Sequence, residues 1–492
     1  MYYISTRGGS EKKTSARVIK QGLAEDGGLF VPESIPTVSK DFIKKLAEED
    51  YAHRAADVLS LYLTDYTYDE LLSAATDAYK EESFGKYAAP VKSLDKTHKV
   101  LELWHGPTCA FKDMALQIMP RLLSTALKKT GEKRTALILV ATSGDTGKAA
   151  LEGYKDVDGV KIMVFYPEDG VSDIQKLQMA SQEGENVNVC AIKGNFDDAQ
   201  TGVKQIFSDT NIAKELDEKG YFLSSANSIN WGRLAPQIVY YFSAYCDLMN
   251  TGDITLGDEI DVCVPTGNFG NIFAAYLAKR MGLPVRRFIC ASNVNNVLTD
   301  FINTGIYDRN RQFHTTISPS MDILISSNLE RLLWLIQGEE KTAECMKRLK
   351  ETGKYEVSAE VREKIASEFI GCFASDDETK QTIAETFEKH RYLIDTHTAV
   401  ALFATKKNAA DIPVVTASTA SPYKFAADVL SALTGNRDNG NDFFRILREL
   451  NAKTGADVPR PLAALENKTR RFTTSVGKSK DEMFAEVAKF AD

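Results

Sequence analysis

Lys112 is the residue whose type and surroundings first indicate chemistry in this sequence. It lies in "LWHGPTCAFKDMA" (residues 103–115), after the apolar pair Ala110–Phe111 and before Met114–Ala115. Loss of water and the positive end of a following helix both disfavour an ammonium group, so we expect a lowered pKa and a usable amine nucleophile. A lysine that extends its amine into solvent from an ordinary loop is the alternative, and this stretch alone favours that alternative.

A glycine-containing loop, "PTGNFGN" (Pro265 to Asn271), follows the predicted strand "DVCV" and precedes the predicted helix "IFAAYLAKR". Gly267 and Gly270 let the backbone approach a ligand closely, and the N-terminus of the helix favours an anion such as phosphate. A Gly-Asn turn without a ligand explains this loop equally well when it is considered alone. The sequence contains no GxGxxG, so a dinucleotide-binding fingerprint is absent.

Residues 141–150, "ATSGDTGKAA", resemble a nucleotide-binding P-loop only superficially. Thr142 occupies the place of the first required glycine, and Ala149 follows Lys148 where a hydroxyl residue is needed for magnesium. The polar residues at this predicted helix start can instead bind a carboxylate: they are Thr142, Ser143, Asp145 and Thr146. An ordinary capped helix is the alternative and needs only one of them.

A third polar segment, "SSANSINWGR" (224–233), precedes a long apolar helix. Arg233 offers a planar fork for phosphate, and Asn227, Ser228 and Asn230 offer neutral donors. A surface loop with an arginine is the alternative. His105 and His397 are isolated histidines, which are more often structural than catalytic.

The composition excludes several classes of function. Sixty basic and 68 acidic residues among 492 give a net charge of −8, which does not favour nucleic acid or an anionic membrane as a partner. The N-terminus lacks an apolar signal core and no stretch is apolar enough to span a bilayer, so we expect a soluble cytoplasmic protein. Seven scattered cysteines support neither a disulfide framework nor a metal site, and Cys109 is expected to be a small buried residue.

The chain changes its pattern along its length. Residues 1 to about 90 are turn-rich and then helical, whereas the following chain alternates short apolar runs, polar loops and helices, as in an α/β protein with a parallel sheet. Residues 328–392 are charged and helical, with little strand character. Ligands of parallel sheets bind at the carboxyl ends of the strands, so several of these loops are expected to face one cleft.

One lysine, a phosphate-type loop, a carboxylate-type loop and a further anion site together suggest a pyridoxal phosphate enzyme. In addition, a series of segments closely resembles, in the same order, the motifs of the threonine synthase family. The resemblance runs from residue 3 to about 425, and the segments are "YISTRGG", "GLAEDGGLFVP", "HGPTCAFKDMA", "ATSGDTG", "NSINWGR", "PTGNFGN", "SPSMDILISSNLERLL" and "DTHTAV". This breadth makes the resemblance far more specific than any single loop.

The resemblance implies a fold-type II architecture, with two open, twisted, mostly parallel sheets flanked by helices and a mainly helical N-terminal subdomain. The implied division of the chain is 1–95 for the subdomain, 112–235 for a small domain, and 96–111 with 236–492 for a large cofactor-binding domain containing the 328–392 insertion. The implied partner is a small molecule, and the oligomeric state is expected to be monomer or homodimer.

The implied reaction converts O-phospho-L-homoserine and water to L-threonine and phosphate, the last step of threonine biosynthesis, with pyridoxal 5'-phosphate as cofactor. Lys112 would form the Schiff base with the cofactor, and Thr419 would meet the pyridine nitrogen. The cofactor phosphate would lie on Gly267, Asn268, Phe269, Gly270 and Asn271. The substrate carboxylate would lie near Ser143, Asp145 and Thr146, and the substrate phosphate on Asn227, Ser228 and Arg233.

The sequence departs from the usual family pattern at three positions: Ser421, Lys148 and Thr396. Ser421 stands where many relatives carry histidine, and this difference close to Thr419 weakens the assignment of Thr419 to the pyridine nitrogen. A serine or threonine dehydratase would share the lysine and the glycine loop but would not need Arg233. A non-catalytic relative would be expected to have lost Lys112, which is present.

Overall fold

The computed structural model describes residues 1–142, 144–168, 171–408, 410–436 and 442–492. In chain order the strands are β1 (Tyr3–Ser5), β2 (Phe30–Pro32), β3 (Val91–Ser93), β4 (His98–Glu102), β5 (Thr135–Ala141), β6 (Val160–Pro167), β7 (Val187–Ile192), β8 (Tyr221–Ser224), β9 (Ile260–Pro265), β10 (Val285–Ser292), β11 (Ile306–Asp308), β12 (Lys354–Glu356), β13 (Phe369–Phe373), β14 (Val414–Ser418) and β15 (Ser475–Val476).

The helices are α1 (Ser15–Gln21), α2 (Lys40–Ala47), α3 (Tyr51–Ser60), α4 (Tyr68–Ala78), α5 (Glu81–Phe84), α6 (Asp113–Leu116), α7 (Met119–Lys129), α8 (Asp145–Tyr154), α9 (Asp173–Ala180), α10 (Phe196–Ser208), α11 (Thr210–Glu218), α12 (Trp231–Asn250), α13 (Gly270–Met281), α14 (Val297–Thr304), α15 (Leu329–Gln337), α16 (Glu339–Thr352), α17 (Ala359–Glu368), α18 (Asp376–His390), α19 (Thr396–Lys407), α20 (Ala426–Thr434), α21 (Phe443–Thr454), α22 (Arg460–Ala463) and α23 (Lys480–Ala491). Short 3-10 helices cover Pro319–Met321, Pro422–Phe425 and Ala464–Asn467. Within the described ranges, no helix is both long and apolar enough to cross a bilayer.

The N-terminal region is mainly helical, as predicted. Its two short strands, β1 and β2, pair antiparallel, and α4 begins with a capping box formed by Thr67 and Glu70. Trp231 at the start of α12 contacts Tyr3 and Tyr62, with ring centroids 5.4 and 5.5 Å away. The region therefore packs against the helix that carries Arg233 and helps to fix its start.

Two sheets follow, as expected for this α/β pattern. The larger sheet has the order β13-β10-β9-β14-β4-β3, and its neighbours are parallel except for β3, which runs antiparallel to β4. The smaller sheet, β15-β7-β6-β5-β8, is parallel throughout. All six residues of β9 are buried, which is typical of a parallel strand covered on both faces. The predicted fold class is confirmed.

Three short strands lie where the sequence did not predict a strand: β12, β13 and β15. The 328–392 segment contains α15 to α18 and two short strands: β12, which pairs antiparallel with β11, and β13, which pairs in parallel with β10. The segment is mainly helical with little strand, as predicted, since β12 has 3 residues and β13 has 5. The run "FIGCF" is too short to show a period and becomes a strand beside β10. Near the C-terminus, β15 pairs with β7 and α23 packs on α10. Part of the predicted large domain thus returns to the smaller sheet, and the domain division remains a proposal.

The sheets position the polar loops. In the larger sheet, β14 is hydrogen-bonded to both β4 and β9, and all three run parallel. The chain that leaves their carboxyl ends carries the lysine loop, the glycine loop and Thr419. These three segments therefore emerge at one edge of one sheet, where ligands of such sheets bind.

Candidate active site

Lys112 lies in the loop after β4, immediately before α6. Its side chain is 13% exposed, and its Nζ lies 3.5 Å from Ser320 Oγ and 3.7 Å from Asp145 Oδ2. Burial lowers the pKa of Lys112; Asp145 opposes this shift, whereas the cations Lys424 and Arg233 reinforce it. The predicted lowering of the pKa is confirmed, and burial is its main cause.

The loop that presents Lys112 is held by Asp113. The Asp113 carboxylate accepts hydrogen bonds from the backbone N–H and the hydroxyl of Thr108, at 2.8 and 2.7 Å. Burial raises the pKa of Asp113 to about 6, although the Thr108 donors oppose the shift. In the same loop Cys109 is buried, and burial raises the pKa of its thiol to about 12, which agrees with its expected role as a small buried residue.

Asp145 begins α8, directly after β5, and its carboxylate faces two lysines. Its Oδ1 lies 2.6 Å from Lys424 Nζ and accepts a hydrogen bond from Gln175 Nε2 at 3.0 Å, whereas Oδ2 faces Lys112. Burial alone would raise the pKa of Asp145, but Lys424 and Lys112 hold it well below its ordinary value. Asp145 is therefore a carboxylate at neutral pH.

Apart from Asp145, the described residues that were predicted to bind a carboxylate in the 141–150 segment do not contact Lys112 as Asp145 does. Thr142 accepts hydrogen bonds from Gly144 N–H at 3.0 Å and Gly147 N–H at 2.9 Å, so it holds the turn into α8. Thr146 is half-buried beside Asp145. Ser143 lies outside the described residues. Asp145 is thus the predicted residue of this segment that the structure brings to Lys112.

The glycine loop connects β9 to α13, as predicted. Phe269 has a left-handed backbone (φ 62°), and its buried ring packs on Phe369 with centroids 5.8 Å apart. Its side chain therefore belongs to the core, and only its backbone is available to a ligand. A Cβ on Gly267 would lie 2.7 Å from the carbonyl oxygen of Ser320, so glycine is required for this close approach.

Asn268 and Asn271 differ in their surroundings. The side chain of Asn268 is exposed. Asn271 is buried, its Oδ1 accepts a hydrogen bond from Tyr241 Oη, and its Nδ2 is a buried donor without a partner among the described residues. A buried donor without a partner is costly, so Nδ2 marks a place where a ligand acceptor would be stabilised.

Arg233 lies in the first turn of α12 and is buried. Its Nη1 donates to the carbonyl oxygen of Ala226 at 2.6 Å, and its Nε has no hydrogen-bond partner among the described residues. Burial lowers its pKa to about 10, so the guanidinium is still charged at neutral pH. In the preceding loop Asn227 is exposed and Ser228 is half-buried. Asn230 caps α12 through its Oδ1, and its Nδ2 donates a hydrogen bond to the carbonyl oxygen of Ile19, so its role is structural.

Thr419 is tied to the lysine loop through its backbone. Its carbonyl oxygen accepts a hydrogen bond from Phe111 N–H at 2.8 Å, and Ser421 N–H donates to Cys109 O at 3.0 Å. The side chain of Ser421 accepts a hydrogen bond from Tyr423 N–H at the start of a 3-10 helix. A serine at position 421 is therefore used as a cap, and Thr419 keeps its position beside the lysine loop.

Four further residues of this region were missed by the sequence analysis: Asn328, Ser320, Arg331 and Lys424. Asn328 Nδ2 lies 3.0 Å from Asn268 O and 3.4 Å from Ser228 O, so it joins the glycine loop to the Arg233 segment. Arg331 donates hydrogen bonds to Phe30 O at 3.0 Å and to Ile229 O at 2.6 Å, so its guanidinium has a structural role. Three of the four, Ser320, Asn328 and Arg331, lie in "SPSMDILISSNLERLL", and the resemblance of this segment to the family was the available signal. Lys424 lies near the end of the stretch that the resemblance covers, and no feature of its own marked it.

The departures at Lys148 and Thr396 do not alter these contacts. Lys148 pairs with Glu152 at 3.0 Å and also bonds Gln182. Thr396 is buried at the start of α19, next to His397. Across the residues that the structure describes, no group of three or more His, Cys, Asp or Glu side chains is suited to hold a metal ion.

Comparisons with known proteins agree with this arrangement. Family models match residues 2–79 (threonine synthase N terminus), 99–415 (pyridoxal-phosphate dependent enzyme) and 398–483 (threonine synthase, C-terminal). Threonine synthase from Pseudomonas aeruginosa is 40% identical over 443 residues, which is 88% of this chain and 91% of that protein. The structure is similar to that of pyridoxal phosphate-bound threonine synthase from Brucella melitensis, with a TM-score of 0.89, 35% identity, and coverage of 100% of this chain and 99% of that one.

Threonine synthase-like 1 from Homo sapiens is 42% identical over 452 residues. The alignment covers 88% of this chain but 60% of that longer protein. The family models together span most of the chain, and the Pseudomonas relative is covered almost completely. The chain belongs to the threonine synthase family of pyridoxal-phosphate dependent enzymes.

Proposed function

We propose that this protein is a threonine synthase, a carbon–oxygen lyase that converts O-phospho-L-homoserine and water to L-threonine and phosphate. The observation that carries the proposal is the position of Lys112 between two anion-type sites. Its amine, with a lowered pKa, faces the loop segment at Ser320 that packs on the glycine loop, and the cationic side chain of Arg233 is close enough to influence it.

The residues present fit pyridoxal phosphate. The glycine loop offers the backbone N–H groups at the start of α13, and Asn271 Nδ2 is a buried donor that lacks a partner within the described part of the chain. The atoms nearest to a Cβ built on Gly270 belong to the side-chain amides of Asn328 and Gln237, the nearer at 3.3 Å. We assign the cofactor phosphate to the 267–271 loop and the pyridine nitrogen to Thr419.

When bound, pyridoxal phosphate withdraws electrons from the bonds around the α carbon of an amino acid substrate. Lys112 supplies the base. Because burial and the neighbouring cations lower its pKa, its amine gives up its own proton more readily than an ordinary lysine does, so it is suited to take the Cα proton and return a proton later. In the balanced reaction Cβ loses a proton, the Cγ–O bond breaks and releases phosphate, a hydroxyl derived from water adds at Cβ, and Cγ gains the proton that completes the methyl group.

Arg233 distinguishes this reaction from that of a dehydratase. A serine or threonine dehydratase has no substrate phosphate. A buried guanidinium such as that of Arg233, whose Nε has no partner in the described ranges, is suited to bind one. We assign the substrate phosphate to Arg233, Asn227 and Ser228, and the substrate carboxylate to the segment of Ser143, Asp145 and Thr146. The cytoplasmic location and the monomeric or homodimeric state remain predictions.

The test is to incubate the purified protein with pyridoxal phosphate and O-phospho-L-homoserine. We expect phosphate and L-threonine in equal amounts, and no turnover by Lys112→Ala or Lys112→Arg, since the latter keeps a charge but lacks a usable amine. Lys148→Arg, which changes a lysine paired with Glu152, is the matched control and should remain active. Release of ammonia and a 2-oxo acid from L-serine or L-threonine, without threonine from the phosphorylated substrate, would instead identify a dehydratase.

A further inference from the structure

A second lysine lies inside the site, and no step of the proposed reaction uses it. Lys424 is in the 3-10 helix Pro422–Phe425 that follows β14, and its side chain is only 1% exposed. Its Nζ donates to the carbonyl oxygen of Thr108 at 3.0 Å and lies 2.6 Å from Asp145 Oδ1. A buried ammonium is stable only with such partners, so its position is closely defined. Lys424 thereby joins the 3-10 helix to the lysine loop and to the start of α8.

The Asp145 carboxylate lies between two amines but is shared unequally. Lys424 Nζ is at ion-pair distance from Oδ1, 2.6 Å away, whereas Lys112 Nζ is 3.7 Å from Oδ2. Gln175 also donates to Oδ1 and fixes the orientation of the carboxylate. The negative charge of Asp145 is thus neutralised mainly by Lys424, and Lys112 has only a loose contact with it.

The unequal sharing matters because an amine that is tightly paired with a carboxylate remains an ammonium and cannot act as a base. Four charged groups influence Lys112: Asp145 and Asp113 favour the ammonium, whereas Lys424 and Arg233 disfavour it. The Asp113 carboxylate accepts two hydrogen bonds from Thr108, which hold it in place. Removing Lys424 would therefore leave Asp145 with Lys112 as its nearest remaining cationic partner.

We propose that Lys424 is a positioning residue that holds the Asp145 carboxylate away from the Lys112 amine, so that this amine stays free to accept a proton. The role of Lys112 as the base rests on the proposed function, but the geometry of the three side chains does not. Lys424 touches neither reacting atoms nor cofactor in this proposal and acts entirely through Asp145.

The test compares Lys424→Met, which removes the charge at similar length, with Lys424→Arg, which keeps it. Lys99→Met is the matched control, since Lys99 is another lysine with a side chain 1% exposed and paired with an aspartate, Asp253, at 2.5 Å. The first readout uses the full chain, freed of cofactor by hydroxylamine, which cleaves a Schiff base, and checked for folding by circular dichroism. Competitive acetylation across pH, quantified by mass spectrometry of the Lys112 peptide, gives the pKa of Lys112.

We expect the pKa of Lys112 to rise by about one unit in Lys424→Met, to change less in Lys424→Arg, and to stay at the wild-type value in Lys99→Met. The second readout is the pH profile of kcat for the enzyme with bound cofactor. Its acidic limb should move to higher pH by the same amount in Lys424→Met, which is a loss of about tenfold below that limb.

The proposal is overturned if Lys424→Met and Lys99→Met lower the melting temperature alike while the pKa of Lys112 stays unchanged, because Lys424 would then be a structural ion pair only. If Lys424→Met fails to fold, Lys424→Arg and Asp145→Asn decide instead. Without the carboxylate, the pKa of Lys112 should fall, and an unchanged value would contradict the proposal. The acetylation readout needs no substrate, so a protein that forms no threonine but shows the expected shift would overturn the proposed function and leave this inference intact.

Discussion

Nε2 of His397 accepts a hydrogen bond from the backbone N–H of Ser320, with 3.1 Å between the two nitrogens. On the other side of the ring, Nδ1 lies 2.9 Å from Asp395 Oδ1. Because Nε2 accepts a bond, the ring carries its proton on Nδ1 and donates it to the carboxylate. Ser320 Oγ in turn lies 3.5 Å from Lys112 Nζ, so the buried histidine fixes the segment that faces the lysine.

Two replacements of His397 test its hydrogen bond to Ser320. His397→Gln can keep an acceptor for Ser320 N–H, whereas His397→Leu leaves that N–H without a partner, which costs about 1–3 kcal/mol. We expect Leu to reduce kcat more strongly than Gln and to lower the melting temperature. Turnover and thermal unfolding measured on both variants check this. Equal kcat values for the two variants would show that the bond to Ser320 has no influence on the reaction.

Gly270 tests the glycine loop. A Cβ there would lie 3.3 Å from Asn328 Nδ2, which is held by Asn268 O, and a branched side chain would also enter the space assigned to the cofactor phosphate. We expect Gly270→Val to prevent cofactor retention and Gly270→Ala to weaken it, since alanine adds only one methyl group. The measurement is cofactor stoichiometry after dialysis. A wild-type stoichiometry in the valine variant would show that the loop is only a turn.

Arg233 tests the substrate phosphate. Arg233→Lys loses the planar fork and keeps the charge, and Arg233→Ala loses both. A charge-assisted hydrogen bond contributes about 1.5–3 kcal/mol, so the alanine variant should lose on the order of tenfold to a hundredfold or more in kcat/KM, with cofactor content barely changed. The lysine variant should lie between it and the wild type.

Part of the role of Arg233 is structural, because it donates to Ala226 O. Arg54→Lys is therefore the control: Arg54 is a buried arginine paired with Asp247 at 2.7 Å, away from the site. It should lower the melting temperature and leave kcat/KM for O-phospho-L-homoserine unchanged. An unchanged kcat/KM in Arg233→Ala would exclude the phosphate-binding role.

Asp113 gives a pH dependence with a defined sign. Burial raises its pKa from 3.8 to about 6, so the folded state binds the Asp113 proton more tightly than the unfolded chain does. The stability that this group contributes is present below the unfolded pKa and is lost as the pH rises through about 6, a change of about 3 kcal/mol. Thermal unfolding of wild type and Asp113→Asn between pH 4.5 and about 7.5 checks this. Relative to the variant, the wild type should lose stability as the pH rises; a constant difference in melting temperature would contradict the assignment.

The sequence alone identified the parts of the site that depend on neighbours in the chain. An apolar approach marked Lys112, and a strand, a Gly-Asn loop and a helix in succession marked residues 267–271; both stand where the sequence predicted them. The alternation of apolar runs and polar loops likewise gave the parallel sheets. These features follow from local periodicity, turn chemistry and helix starts, which the order of residues determines directly.

Only the tertiary structure decided which partners these residues have. Lys424 meets Thr108 across 316 positions of sequence, and Ser320 meets Lys112 across 208. Strand β13 exists because β10 lies beside it, and Asn230, which looked like a candidate donor, is used as a cap. Burial and ion pairing depend on what the fold brings next to a group, so the loose contact between Lys112 and Asp145 could be seen only after the two sheets and the chain between them had been assembled.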